Sequence, residues 1–140
     1  MSGFVIDASV LIKLYINESG TSEAERAVKA ADPILAPDLL LPETANVLWK
    51  YVRRGELSAG DANEILGDIL QLPIRLTASH DLIEPALRIA VETSRSVYDS
   101  LYIALALQTD TILLTSDERL ANAIAATRFA LHLRLIGSAQ

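Results

Sequence analysis

A chain of 140 residues has material for one compact domain and little for a second. Hydrophobic residues at 51% supply a core, but aromatics at 5% mean that it is built from Leu, Ile, Val and Ala. The absence of cysteine excludes a disulfide framework, a thiolate zinc site and a cysteine nucleophile, and a net charge of −6 argues against nucleic-acid binding through bulk charge.

Met1 to Ile6 has neither the basic start nor the long apolar run of a signal peptide, and no apolar stretch reaches transmembrane length. The expectation is a soluble, cytoplasmic protein with no membrane partner.

In chain order, Gly3-Phe4-Val5-Ile6 reads as a buried strand that stops at Asp7. Ala8 to Tyr15 is predicted helical, ending near Asn17 and Gly20, and Thr21 to Ala31 is a second helix stopped by Asp32-Pro33. Ile34-Leu35-Ala36 is a short strand between prolines. The longest helix runs from about Leu39 to Arg54, with Pro42 tolerated in its first turns. Ser58 to Leu70 follows, with Ser58 and Asp61 in a capping pattern. Pro73 to Leu76 is a third strand, and Asp81 to Thr93 a helix with Pro85 in its first turn.

Tyr98-Asp99 opens a helix to about Thr109 that is apolar on every side and therefore buried. Thr111 to Thr115 is a fourth strand, Glu118 to Ala126 a helix, and Phe129 to His132 a weak last strand. Strands that alternate with helices and are apolar throughout predict a mostly parallel sheet covered on both faces, a three-layer α/β/α sandwich. The whole chain, 1–140, is expected to form this one domain.

Ligands of open parallel sheets bind beyond the carboxyl ends of the strands. Asp7 directly follows the first strand and Asp117 follows the fourth by two residues; if those strands are neighbours, both acids share one sheet edge. Glu43 lies at the margin of the apolar arc of its helix, and Asp99 opens the buried helix. Each acid also has a plainer reading, because Asp is a preferred N-cap and a helical Glu is usually solvated. Spacing alone leaves a metal site and a set of caps both open.

The segments Val5-Ile6-Asp7-Ala8-Ser9, Leu41-Pro42-Glu43-Thr44-Ala45-Asn46-Val47-Leu48, Val97-Tyr98-Asp99-Ser100-Leu101-Tyr102-Ile103-Ala104-Leu105-Ala106 and Leu114-Thr115-Ser116-Asp117-Glu118-Arg119-Leu120 go further. In this order, over nearly the whole chain, they resemble the PIN-domain ribonucleases, in particular the VapC-type toxins of toxin–antitoxin modules. The resemblance implies a five-stranded parallel sheet and a catalytic acid quartet at Asp7, Glu43, Asp99 and Asp117. It implies Mg²⁺ or Mn²⁺, an RNA substrate, a homodimer, and a small inhibitory antitoxin. Ser9, Asn46, Thr115 and Ser116 fall where the family has supporting polar groups, although alanine is frequent at the position of Ser116.

Carboxylate oxygens suit Mg²⁺ and Mn²⁺, which activate water for in-line phosphodiester hydrolysis; the expected products carry a 5′-phosphate and a 3′-hydroxyl. Asp7 and Asp99 are the first choices as direct ligands, then Glu43, with Asp117 acting through water or bracing a second ion. Lys13, Lys50, Arg53, Arg54, Arg95 and Arg119 lie near the acid-bearing segments in sequence and are candidates for holding RNA, although each also reads as a solvated helix-end residue. Tyr98 and Tyr102 are candidates for stacking on bases, although Tyr102 reads rather as core.

Rival chemistries fare worse. A histidine-pair ribonuclease would need partners that His80 and His132 lack. A phosphoacceptor receiver needs a late lysine, and no lysine follows Lys50; a haloacid-type phosphatase needs an aspartate where Ser9 stands. A catalytically idle PIN-like binding module is the remaining alternative.

Overall fold

The computed structural model describes residues 3–16 and 21–137. Five strands, β1 (Phe4–Ile6), β2 (Ile34–Pro37), β3 (Ile74–Thr77), β4 (Ile112–Thr115) and β5 (Leu133–Leu135), form one sheet in the order β3-β2-β1-β4-β5. All four pairings are parallel. The chain builds outward from β1 to β3 on one side, then crosses to β4 and β5 on the other. This reversal makes the gap between the carboxyl ends of β1 and β4 the switch point of the sheet, where open α/β folds place ligands. In that pair Ile6 is opposite Leu114, so Asp7 and Thr115 emerge side by side.

Seven α-helices flank the sheet among the described residues: α1 (Ala8–Leu11), α2 (Thr21–Ala30), α3 (Leu40–Arg53), α4 (Ala59–Leu70), α5 (Ser79–Thr93), α6 (Val97–Thr109) and α7 (Glu118–Ala125). The core follows from the aliphatic composition. Val5, Leu113 and Leu114 are fully buried on the central strands, and α6 is buried from Ser100 through Ala106 while packing across β1, β2 and β4. None of these helices is long and apolar enough to cross a membrane.

Four local expectations are corrected. The first helix ends at Leu11 and tightens into a 3₁₀ turn over Ile12–Leu14; Asn17 and Gly20 lie outside the described residues. Helix α5 starts at Ser79, not Asp81, because the Asp38 carboxylate accepts both the backbone N–H and the hydroxyl of Ser79. Pro85 therefore lies beyond the first turn. Helix α6 opens at Val97 with Ser96 as its cap, whose hydroxyl accepts the Asp99 N–H at 3.1 Å, so Asp99 is the third helical residue and not the opening one.

The last strand is Leu133–Leu135, whereas Ala130–His132 is a 3₁₀ turn. Phe129 is fully buried but Leu131 is 87% exposed, which no strand facing a core would allow.

Candidate active site

Asp7 terminates β1 and caps α1. Its Oδ1 accepts the Val10 N–H at 3.2 Å and the Ser9 hydroxyl at 2.5 Å, and its Oδ2 accepts the Thr115 hydroxyl at 2.5 Å. Each hydroxyl has one proton, and both are spent on Asp7. As acceptors, Ser9 takes the Ser116 N–H at 2.8 Å and Thr115 takes the Asp117 N–H at 3.1 Å. Ser116 in turn donates to the Ile136 carbonyl at 2.6 Å. The loops after β1 and β4 are thus stitched together around one carboxylate. Burial pushes that carboxyl from 3.8 up to about 6; the bonds from Ser9, Thr115 and Val10 pull it down, and the charge of Asp117 pushes it further up.

Asp117 caps α7, its Oδ1 accepting the Leu120 N–H at 3.2 Å. Glu43, in the first turn of α3, takes the Tyr102 hydroxyl on Oε1 at 2.5 Å. Burial raises the Glu43 carboxyl, the Tyr102 bond lowers it, and the charge of Asp99 raises it again. The Tyr102 phenol, itself buried, is pushed far up by burial and by the Glu43 carboxylate, which keeps it a proton donor. Asp99 pairs with Arg95 one turn earlier, Nη2 to Oδ2 at 3.0 Å.

These four acids, from four separate segments, line one cleft of about 120 Å³ together with Ala8, Ser9, Tyr102 and Leu120. Among the described residues, no three acid or histidine side chains converge tightly enough to chelate one ion in this arrangement. The donor set nevertheless fits a hard divalent cation, because every ligand on offer is oxygen. Each carboxylate also keeps an open acceptor position. Asp7 Oδ2 has a second lone pair, and Glu43 Oε2, Asp99 Oδ1 and Asp117 Oδ2 take no hydrogen bond from the described residues.

The other sequence candidates divide. Ser9, Thr115 and Ser116 belong to the hydrogen-bond frame of the cleft. Asn46 is exposed and, with Tyr98, lines a shallow recess that shares Glu43 with the cleft. Lys50, Arg53 and Arg54 are exposed toward the far end of α3, about 10 Å or more along the helix from Glu43 at its usual rise. Arg53 stacks on Trp49 and Arg54 on Tyr51. Arg119 is exposed at the start of α7, Lys13 is buried, and Arg95 reaches an acid of the cleft. His80 is exposed beside Asp81, and His132 bonds the Thr111 carbonyl before β4, at the opposite sheet edge; neither lines the cleft.

Tyr102 is a core residue, as the sequence reading favoured, but the reach of its hydroxyl into the cleft was missed. Its signal was available: it follows Asp99 by three residues and so shares a helix face with it.

The fold is an open parallel α/β sheet with four acids lining one cleft at its carboxyl edge. The PIN domain family profile matches residues 4–125. Over 119 residues the chain is 35% identical to Ribonuclease VapC3 of Pyrobaculum aerophilum, covering 84% of this chain and 91% of that protein. It is similar in structure to PAE2754 from Pyrobaculum aerophilum, with a TM-score of 0.69 and 26% identity over 91% of this chain and 81% of that one. A toxin–antitoxin complex from Klebsiella pneumoniae shares the fold, with a TM-score of 0.63 and 17% identity over 94% and 96% of the two chains. The chain belongs to the PIN-domain family, among its VapC-type ribonucleases.

Proposed function

We propose that the protein is a cytoplasmic, Mg²⁺- or Mn²⁺-dependent endoribonuclease and the toxin of a toxin–antitoxin pair, with Asp7, Glu43, Asp99 and Asp117 as its metal-holding acids. One observation carries the reading: acids from four separated segments line a single cleft at the β1/β4 switch point. Gathering like charges there opposes folding unless a cation answers them.

A divalent ion held by these residues would supply an activated water and neutralise charge building on a phosphodiester. The chain's own groups orient the ligands. Ser9 and Thr115 fix Asp7 in a single rotamer, and Tyr102 holds Glu43 against α6. Lys50, Arg53, Arg54 and Arg119, all exposed, are the proposed contacts to RNA phosphates outside the cleft, since the acidic chain must rely on local positive groups.

A small antitoxin is the proposed protein partner, in keeping with the toxin–antitoxin complex that shares the fold. A second copy of the chain is proposed to pack on α5. Ile83, Leu87 and Val91 recur there every four residues and are 48%, 55% and 77% exposed, an apolar stripe suited to self-association.

The test is cleavage of a structured RNA with and without Mn²⁺ by the wild type, Asp7→Asn and Asp99→Asn. Cleavage should require the ion, and either substitution should reduce it at least 100-fold, on the scale of losing a metal-orienting group. Cleavage that persists in EDTA, or in both variants, sinks the proposal.

A further inference from the structure

The Arg95–Asp99 pair does not behave like an ordinary helix-surface ion pair. Its two side chains are only 27% and 29% exposed. Its order is the less favourable one for a helix, cation before anion, and Arg95 stands just ahead of the N-terminus of α6, where the helix dipole repels positive charge. The Arg95 Nε is buried without a partner. A guanidinium in this setting is held by its bond to the Asp99 carboxylate rather than by the helix.

The backbone fixes it there. Ser94 ends α5 in the left-handed region at φ 62°, and the Thr93 hydroxyl accepts the Arg95 N–H at 3.2 Å while donating to the Ile89 carbonyl at 2.8 Å. Ser96 then caps α6. The α5–α6 turn therefore aims Arg95 at Asp99 on the margin of the cleft, and its Nη2 occupies one of the two oxygens of that carboxylate.

We propose that Arg95 is a resident counter-cation of the acid cluster, competing with a divalent ion for Asp99 and so setting the protein's metal affinity. The proposal rests on the metal reading given above. It assigns Arg95 a positioning role with two consequences. Without metal, one positive charge keeps the acids together. With metal, that same charge repels the incoming ion, while its bond to Oδ2 leaves only Oδ1 of Asp99 open to it.

The experiment is calorimetric titration of Mn²⁺ into the full chain as wild type, Arg95→Gln and Arg95→Lys, with circular dichroism to verify the fold. Arg95→Gln should bind Mn²⁺ about tenfold more tightly, within the usual range of site-to-site coupling, whereas Arg95→Lys, which keeps the charge, should bind like the wild type. In thermal melts without metal, Arg95→Gln should unfold at a lower temperature than the wild type, and saturating Mn²⁺ should close the gap. Equal or weaker Mn²⁺ binding by Arg95→Gln, or matching gains in both variants, overturns the inference and leaves the metal site standing. Absence of Mn²⁺ binding to any of the three proteins overturns both.

Discussion

Replacing Asp7 by asparagine should remove activity and yet stabilise the metal-free fold at neutral pH. Burial raises the Asp7 carboxyl from 3.8 to about 6 in the folded chain, with hydrogen bonds only partly offsetting it. Between these two values the folded chain keeps a proton that the unfolded chain has released. Its contribution to stability is therefore fully present below about 4 and is lost as pH rises through about 6. At ~1.4 kcal/mol per pH unit, the gap corresponds to ~3 kcal/mol. Aspartate at this position is thus a liability above about pH 6 whenever no cation is bound.

Asparagine keeps the shape and an acceptor for the Val10 N–H. Its amide would face the Thr115 hydroxyl, which must turn from donor to acceptor, and part of the gain is lost in that rearrangement. The expected net gain at pH 7.5 is ~1–2 kcal/mol, or about 3–6 °C in Tm for a domain of this size. The assay is urea unfolding of both proteins in EDTA from pH 4 to pH 8. The stability difference should move by ~3 kcal/mol in favour of asparagine across the range, and saturating Mn²⁺ should restore the advantage of the wild type. A difference that stays constant with pH would refute the reasoning, because the cost would then not lie in the ionisation of Asp7.

Two further outcomes are expected. Tyr102→Phe removes the donor to Glu43 and should lower kcat at least tenfold while costing ~1 kcal/mol of stability in a thermal melt; an unchanged kcat would show that Glu43 needs no such support. Leu87→Glu places a charge in the α5 stripe and should leave a monomer by light scattering with RNA cleavage retained; an unaltered oligomeric state would move the self-contact to another face.

The parts of the site legible in the sequence are those written locally. Asp7 stands out because a continuous apolar run stops just before it, and Asp117 because it follows another such run within three residues; neither needs a partner to be recognised. That β1 and β4 are neighbours is not local, and it comes only from the sheet order. The Glu43–Tyr102 bond spans 59 residues, and counting Tyr102 as an apolar position hides its hydroxyl. The cap of α6 was readable: Ser96 precedes Asp99 by three residues, as Ser58 precedes Asp61, and both serines accept the corresponding N–H. The last strand was misplaced because Phe129 has strand character, yet its N–H is taken by the Thr127 hydroxyl and the chain turns there. Lys50 lies two helical turns from Glu43, so any part it plays is outside the cleft.

The cap reading of these aspartates and their proposed metal role call on different atoms. Asp7 and Asp117 are both N-caps, and in each the oxygen that caps is Oδ1. In Asp7 the other oxygen faces a single donor, Thr115, and in Asp117 it takes no hydrogen bond from the described residues. Capping therefore orients each carboxylate without consuming it. The strand-to-helix junction supplies a rigid backbone, donors that favour the charged form, and an acid at the carboxyl edge of the sheet, so the residue type that best starts the helix is also the one a hard cation can use. Asp99 departs from this scheme. Ser96 does the capping there, leaving the carboxylate to Arg95, and that makes Asp99 the acid of the cleft whose charge is already answered by the protein itself.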